Sequence, residues 1–217
     1  MTHVREHRSV LAAAERQLLI FMAQRLPRRI HSDHLTALAL AAMGMAGGAF
    51  VLARWDPRAL WLVVIALVLN WVGDSLDGTL ARVRRVERPR YGFYVDHVLD
   101  IAGITLLLGG LAGSPFMTPV VALAVLVAYL LVAGEVFLAT AVRGVFKMSV
   151  AGIGPTELRI ILAAGTLALF RSPVVTVGSI TVPLFDIGGA IAAAGLAMVF
   201  VISAHRNATA LAVAEPR

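Results

Sequence analysis

Asp74, Asp77, Asp96 and Asp100 fall within one short interval beside some of the most apolar sequence in the chain. On a helix, Asp74 and Asp77 stand about 60° apart, with Gly78 and Ala81 on the same stripe and Arg82 at its edge. Asn70, one turn earlier, shares that face. Gly92, Asp96 and Asp100 step by four and make a second single stripe. Two antiparallel helices joined by a short basic loop can turn these stripes toward each other. Four carboxylates would then converge, and like charges that close cannot all stay ionised without cations. A donor set of oxygens, in a chain with no cysteine, selects hard ions such as Mg²⁺, Mn²⁺ or Ca²⁺. Two such ions suit displacement at phosphorus. Glycine at 78 lets a nucleotide phosphate approach the backbone, Ala81 gives the same clearance, and Arg82 can fork onto a phosphate.

The elements that must hold these residues are membrane helices. The chain has 217 residues, 59% of them hydrophobic and 15% charged, with mean hydropathy +0.84. A soluble domain carries nearer a quarter charged residues. A carboxylate at mid-membrane depth costs roughly 2.5–3.5 kcal/mol, so cations must wait for the aspartates. The reading is an all-α, polytopic membrane protein with a bundle of six transmembrane helices. Its spans are Leu35–Ala53, Ala59–Gly73, Val98–Leu111, Pro119–Val142, Leu158–Phe170 and Pro183–Ala204. The second and third are short as apolar runs, and motif sequence continues each helix out of the lipid. Breakers at Asp56-Pro57, Pro89, Ser114-Pro115, Gly154-Pro155 and Ser172-Pro173 separate the segments. Residues 9–26 mix Glu15, Arg16 and Arg25 with Leu18, Leu19, Phe21 and Met22, which predicts an amphipathic helix lying on the interface. Residues 1–217 are read as one domain, with the bundle over 35–204.

The net charge of +6 reports orientation and anionic headgroups here, not nucleic acid. Arginines crowd the start of the chain, the 82–90 connection, and the connection carrying Arg143 and Lys147, whereas the alternate connections are poorer. Both termini and the aspartate segment are therefore expected on the cytoplasmic side of a multi-pass cell-membrane protein.

The pattern Asp74-x-x-Asp77-Gly78-x-x-Ala81-Arg82, nine residues, Gly92-x-x-x-Asp96-x-x-x-Asp100 resembles the complete signature of the CDP-alcohol phosphotransferases, with every signature residue in place. The resemblance implies a six-helix membrane enzyme, usually a homodimer. It would transfer a phosphoalcohol from a CDP-linked donor, commonly CDP-diacylglycerol, to an acceptor hydroxyl and release CMP, a step of phospholipid biosynthesis. By position, Asp74, Asp77 and Asp96 resemble metal ligands for Mg²⁺ or Mn²⁺. Asp100 resembles the residue that touches a metal and takes the acceptor's proton. Asp74, Asp77, Gly78, Ala81, Arg82 and Gly92 would line the CDP site. One segment departs from the family: where members show Pro-Asn-x-(Ile/Leu)-Thr before the first span, this chain reads Ser32-Asp33-His34-Leu35-Thr36.

Outside the motif, Glu135 lies within the fourth span, either lining the acceptor pocket or partnering an arginine. Arg143, Lys147 and Arg159 fall at the level of the aspartates, where they could hold an acceptor phosphate or contact headgroups. His97 points about 100° away from Asp96 and reads as structural. The glycines of "MGMAGGAF" are read as helix-packing positions. Two other readings compete. An ion-coupled transporter also places ionisable groups in membranes, but has no need of Gly78, Ala81 and Arg82 at fixed offsets. A UbiA-like prenyltransferase shares the Asn70-x-x-x-Asp74 and Asp96-x-x-x-Asp100 spacings, but usually has a longer chain and a differently spaced first motif.

Overall fold

The structure is a computed structural model that describes residues 12–143 and 155–215. The element order is α1 (Ala12–Arg25), α2 (Ser32–Leu52), α3 (Ala59–Arg84), α4 (Pro89–Ala112), α5 (Pro119–Arg143), α6 (Pro155–Leu169), β1 (Val174–Val177), β2 (Ile180–Pro183) and α7 (Leu184–Ala214). It is an all-α membrane fold apart from one small hairpin.

Among the described residues, five helices, α2, α3, α4, α5 and α7, are long and apolar enough to cross a bilayer. This departs from the six spans expected. The sixth, α6, has 15 residues, about 22 Å of helix against a hydrocarbon core of about 30 Å. Proline at its first position and the Ser172-Pro173 step beyond its last turn confine it. The hairpin that follows was also not expected. Val174 to Val177 pairs antiparallel with Ile180 to Pro183, and Gly178 takes φ +63° in the turn between them. β-Branched residues on both sides of Gly178-Ser179 are the sequence signature of such a turn.

Other boundaries follow the expected logic. Helix α3 runs without a break through the first half of the motif to Arg84. It ends because Arg85 turns left-handed at φ 57°, so that the Arg85 and Val86 amides donate back to the Arg82 and Ala81 carbonyls at 3.1 and 3.0 Å. Those bonds satisfy acceptors a helix end otherwise leaves open. Pro89, with its φ preset, then starts α4. A four-residue link joins α3 to α4, and both helices pack against α2, with little direct contact between them. Helix α1 lies against α3, packing Leu19 and Ala23 with Leu35, Leu76 and Leu80.

Small residues bring the backbones together. At Gly73 an added Cβ would strike the Leu35 carbonyl and the Ala39 backbone, so α3 crosses α2 in direct contact immediately before Asp74. Asn70 supports the crossing by donating to the Ala39 carbonyl at 3.0 Å. At the other end of the bundle Phe50 packs against Phe116 and Phe185, with ring centroids 6.3 and 5.8 Å away. Helices α2 and α4 cross at Gly47 and Gly110, where a Cβ on either residue would collide with the facing backbone. Backbone cannot yield as a flexible side chain can. Gly110→Ala is therefore expected to cost about 1–3 kcal/mol, the scale of overpacking a close contact. Thermal unfolding in detergent should show a clear fall in Tm for Gly110→Ala and none for Gly109→Ala, where the added Cβ meets nothing within 4 Å.

Candidate active site

The α3–α4 pair brings three of the four aspartates together. Asp74, Asp96 and Asp100 each offer a carboxylate oxygen, all within 4.8 Å of one another. Asp74 and Asp96 are half-buried, and Asp100 is exposed. Asp96 and Asp100 sit one turn apart on α4, and their carboxylates meet that of Asp74 on α3.

Asp77 stands apart from this trio. One of its carboxylate oxygens accepts from the Thr36 hydroxyl at 2.8 Å, and the other accepts from the Gly78 amide. Thr36 belongs to the segment that departs from the family pattern, and it is one of the two residues there that agree. Its hydroxyl ties the start of α2 to the motif. A carboxylate has about four lone-pair positions, so these bonds leave Asp77 capacity for a further ligand.

Arg159 enters the cluster from α6. It forms an ion pair with Asp74 and donates from Nε to the Asn70 side-chain carbonyl at 2.7 Å. The pair is largely sheltered, with side-chain exposures of 16% for Arg159 and 23% for Asp74, so solvent screens it less than a surface pair. Asn70 is buried and bonded through both ends of its amide, donating to Ala39 while accepting from Arg159. The sequence placed Asn70 on the aspartate face, but no local spacing linked it to Arg159.

The remaining expected residues are distributed differently. Arg82 is exposed and donates to the Thr79 hydroxyl at 3.1 Å. Gly78 and Gly92 face open space: a Cβ at Gly78 would meet only the Arg82 guanidinium, at 3.9 and 4.0 Å, and one at Gly92 would meet nothing within 4 Å. Protein packing therefore does not demand glycine at either position. A cavity of about 300 Å³ opens beside Ala81, lined also by His31, Asp33, Arg84 and Arg88. Arg88 pairs with Asp33, and Arg84 donates to the Leu26, Pro27 and Ile30 carbonyls. The basic link is thereby fastened to the turn between α1 and α2.

Glu135 and Arg143 make their bonds to α7. Glu135 accepts from Ser203 at 2.8 Å and from the Asn207 amide at 2.6 Å, while Arg143 donates to the Asn207 carbonyl oxygen. Asn207 thus bridges the acid and the arginine. Lys147 lies outside the described residues. His97 is buried, stacked on Phe93 at 4.3 Å and edge-on to Phe137 at 5.4 Å, which fits its structural reading.

An all-oxygen trio at this separation fits a hard divalent cation by donor chemistry. Asp74, Asp96 and Asp100 could hold it, with Asp77 one turn away. A family model described as CDP-alcohol phosphatidyltransferase matches residues 29–202, from the turn before α2 to deep within α7. No curated protein and no solved structure matches the chain.

Proposed function

Because this chain belongs to the CDP-alcohol phosphatidyltransferase family, we propose that it transfers a phosphatidyl group from a CDP-linked lipid, CDP-diacylglycerol in the first instance, to an acceptor hydroxyl. The observation that carries this reading is the trio Asp74, Asp96 and Asp100, met by Arg159 at the mouth of the α3–α4 pair. The bond formed joins the acceptor oxygen to the β-phosphorus of the donor. The bond broken releases CMP. Asp74, Asp77, Asp96 and Asp100 would hold two divalent ions, Mg²⁺ or Mn²⁺, which would polarise the phosphoryl oxygens and balance the charge of CMP.

The chain's own residues do the rest. Asp100 is exposed at the open side of the trio, where it can take the proton of the incoming hydroxyl as general base. Thr36 holds Asp77 in one orientation. Gly78, Ala81, Arg82 and Gly92 form the nucleotide surface, since the space in front of both glycines is left free by the protein. Arg159 forms the acceptor side, to which Glu135 and Arg143, joined through Asn207 of α7, and Lys147, by its place in the sequence, are also assigned. A phosphorylated acceptor such as inositol phosphate or glycerol 3-phosphate suits those cations, because a dianion drawn partly from water needs charge-assisted bonds. The enzyme works as a homodimer in the cell membrane, with both termini and the site facing the cytoplasm and its product entering phospholipid biosynthesis. The arginine asymmetry of the connections supports that orientation.

An acceptor screen with detergent-solubilised protein and CDP-diacylglycerol, reading CMP release, tests the reaction class. Phosphorylated acceptors should be turned over, and Arg159→Ala should raise the acceptor's KM about tenfold or more while sparing that of the CDP-lipid. Turnover of unphosphorylated alcohols alone would end the acceptor assignment. Gly78→Ala separates ligand approach from folding. Alanine is the better helix former by about 1 kcal/mol, so Tm should hold or rise while the KM for CDP-diacylglycerol climbs. An unchanged KM would remove Gly78 from the nucleotide surface.

A further inference from the structure

Glu15, on the interfacial helix α1, lies outside the signature, yet one of its oxygens reaches two helices that build the site. Its Oε1 accepts from the Trp71 indole Nε1 at 2.7 Å and from the Thr156 hydroxyl at 2.9 Å. Trp71 follows Asn70 and precedes Asp74 by one turn on α3. Thr156 precedes Arg159 by one turn on α6. The two helices bridged by Glu15 are the same two joined by the Arg159–Asp74 ion pair and the Arg159–Asn70 hydrogen bond. Helix α1 can serve as the fixed side of this bridge because Leu19 and Ala23 anchor it to Leu76 and Leu80 of α3. Helix α6, of 15 residues, packs on α3 and α7, and Thr156 is the second residue of it.

From this arrangement we infer that Glu15 is a positioning residue that clamps the start of α6 to α3 and so sets where Arg159 stands relative to Asp74. Both bonds are charge-assisted and share one acceptor, which makes them strong and geometrically linked. Arginine has a long side chain with about 2 kcal/mol of rotamer entropy, so its head is placed only as well as its helix is. A displacement of about 1 Å at a group that orients substrate can cost on the order of 10²-fold in rate.

The chain has no cysteine, so spin labels can be placed cleanly at Val68→Cys on α3 and Ile160→Cys on α6, both exposed. In the full-length protein, Glu15→Ala should shift or broaden the interlabel distance distribution, and Glu15→Gln, whose amide oxygen can accept the same two bonds, should restore it. Thr156→Val, which keeps the side-chain shape and removes one bond, should reproduce part of the shift even if Glu15→Ala folds poorly. An unchanged distribution in Glu15→Ala, or an equal change in Glu15→Gln, overturns the clamp. The kinetic consequence rests on the proposed acceptor role of Arg159: with glycerol 3-phosphate as probe, KM should rise about tenfold in Glu15→Ala, the scale of a lost charge-assisted bond. Glu15→Gln should stay within about twofold, since its two bonds persist. A shifted distance with an unmoved KM would retire Arg159 from the acceptor side and leave the clamp standing.

Discussion

CMP release should stop when divalent metal is chelated and return when Mg²⁺ or Mn²⁺ is added back. Asp74, Asp96 and Asp100 present oxygens within 4.8 Å of one another. At that distance two unit charges repel by about 3.5 kcal/mol for an effective dielectric of about 20. Arg159 offsets the charge on Asp74, but the proposed CDP-linked donor would bring further negative charge to the same place. Lewis-acid stabilisation of a transferring phosphoryl group is worth several kcal/mol, which corresponds to a rate loss of about 10³-fold or more on chelation. The assay is CMP release from CDP-diacylglycerol in excess chelator, followed by a metal titration. Full activity in the chelated enzyme would contradict the account.

Asp100→Asn should lower transfer by about 10²-fold or more, the usual scale for losing a general base, and leave substantial binding of the CDP-lipid. The substitution keeps shape and hydrogen-bonding reach but removes the basic oxygen. Asp77→Asn should behave differently, weakening metal and nucleotide binding together, because Asp77, oriented by Thr36 and the Gly78 amide, adjoins the residues proposed for the nucleotide surface. Donor binding and single-turnover transfer, measured on both variants, separate the two effects. Near wild-type transfer by Asp100→Asn would move the base elsewhere.

What the sequence disclosed divides along a physical line. Helical periodicity is local, so the two aspartate stripes, the extension of α3 to Arg84 and the start of α4 at Pro89 were all legible from spacing and breakers. The same holds for Gly47, whose close contact with α4 follows from a run of small residues. Tertiary pairings were not legible. Asp77 is drawn to Thr36, 41 residues away, and Arg159 to Asp74, 85 residues away; no spacing rule connects such positions. The agreement of Thr36 with the family segment was a signal of its use, but gave no partner. Glu135 was left between two roles, and the structure shows it joined to Arg143 through Asn207 of α7. The hairpin is written in the β-branched residues from Val174 to Val182 around Gly178, a turn signal that apolar length alone does not carry. The short α6 fell between criteria, being apolar enough for a span and too brief for one.

Mn²⁺ bound to the purified protein, followed by electron paramagnetic resonance before and after addition of CDP-diacylglycerol, is the most direct probe of the aspartate site. Mn²⁺ should bind to the wild-type protein and acquire ³¹P hyperfine coupling when the donor is added. Both signals should be lost in Asp96→Asn, which removes one of the three converging carboxylates. Bound Mn²⁺ that shows no phosphorus coupling, or that binds Asp96→Asn as tightly as wild type, would place the metal elsewhere and contradict a metal-assisted transfer at this site.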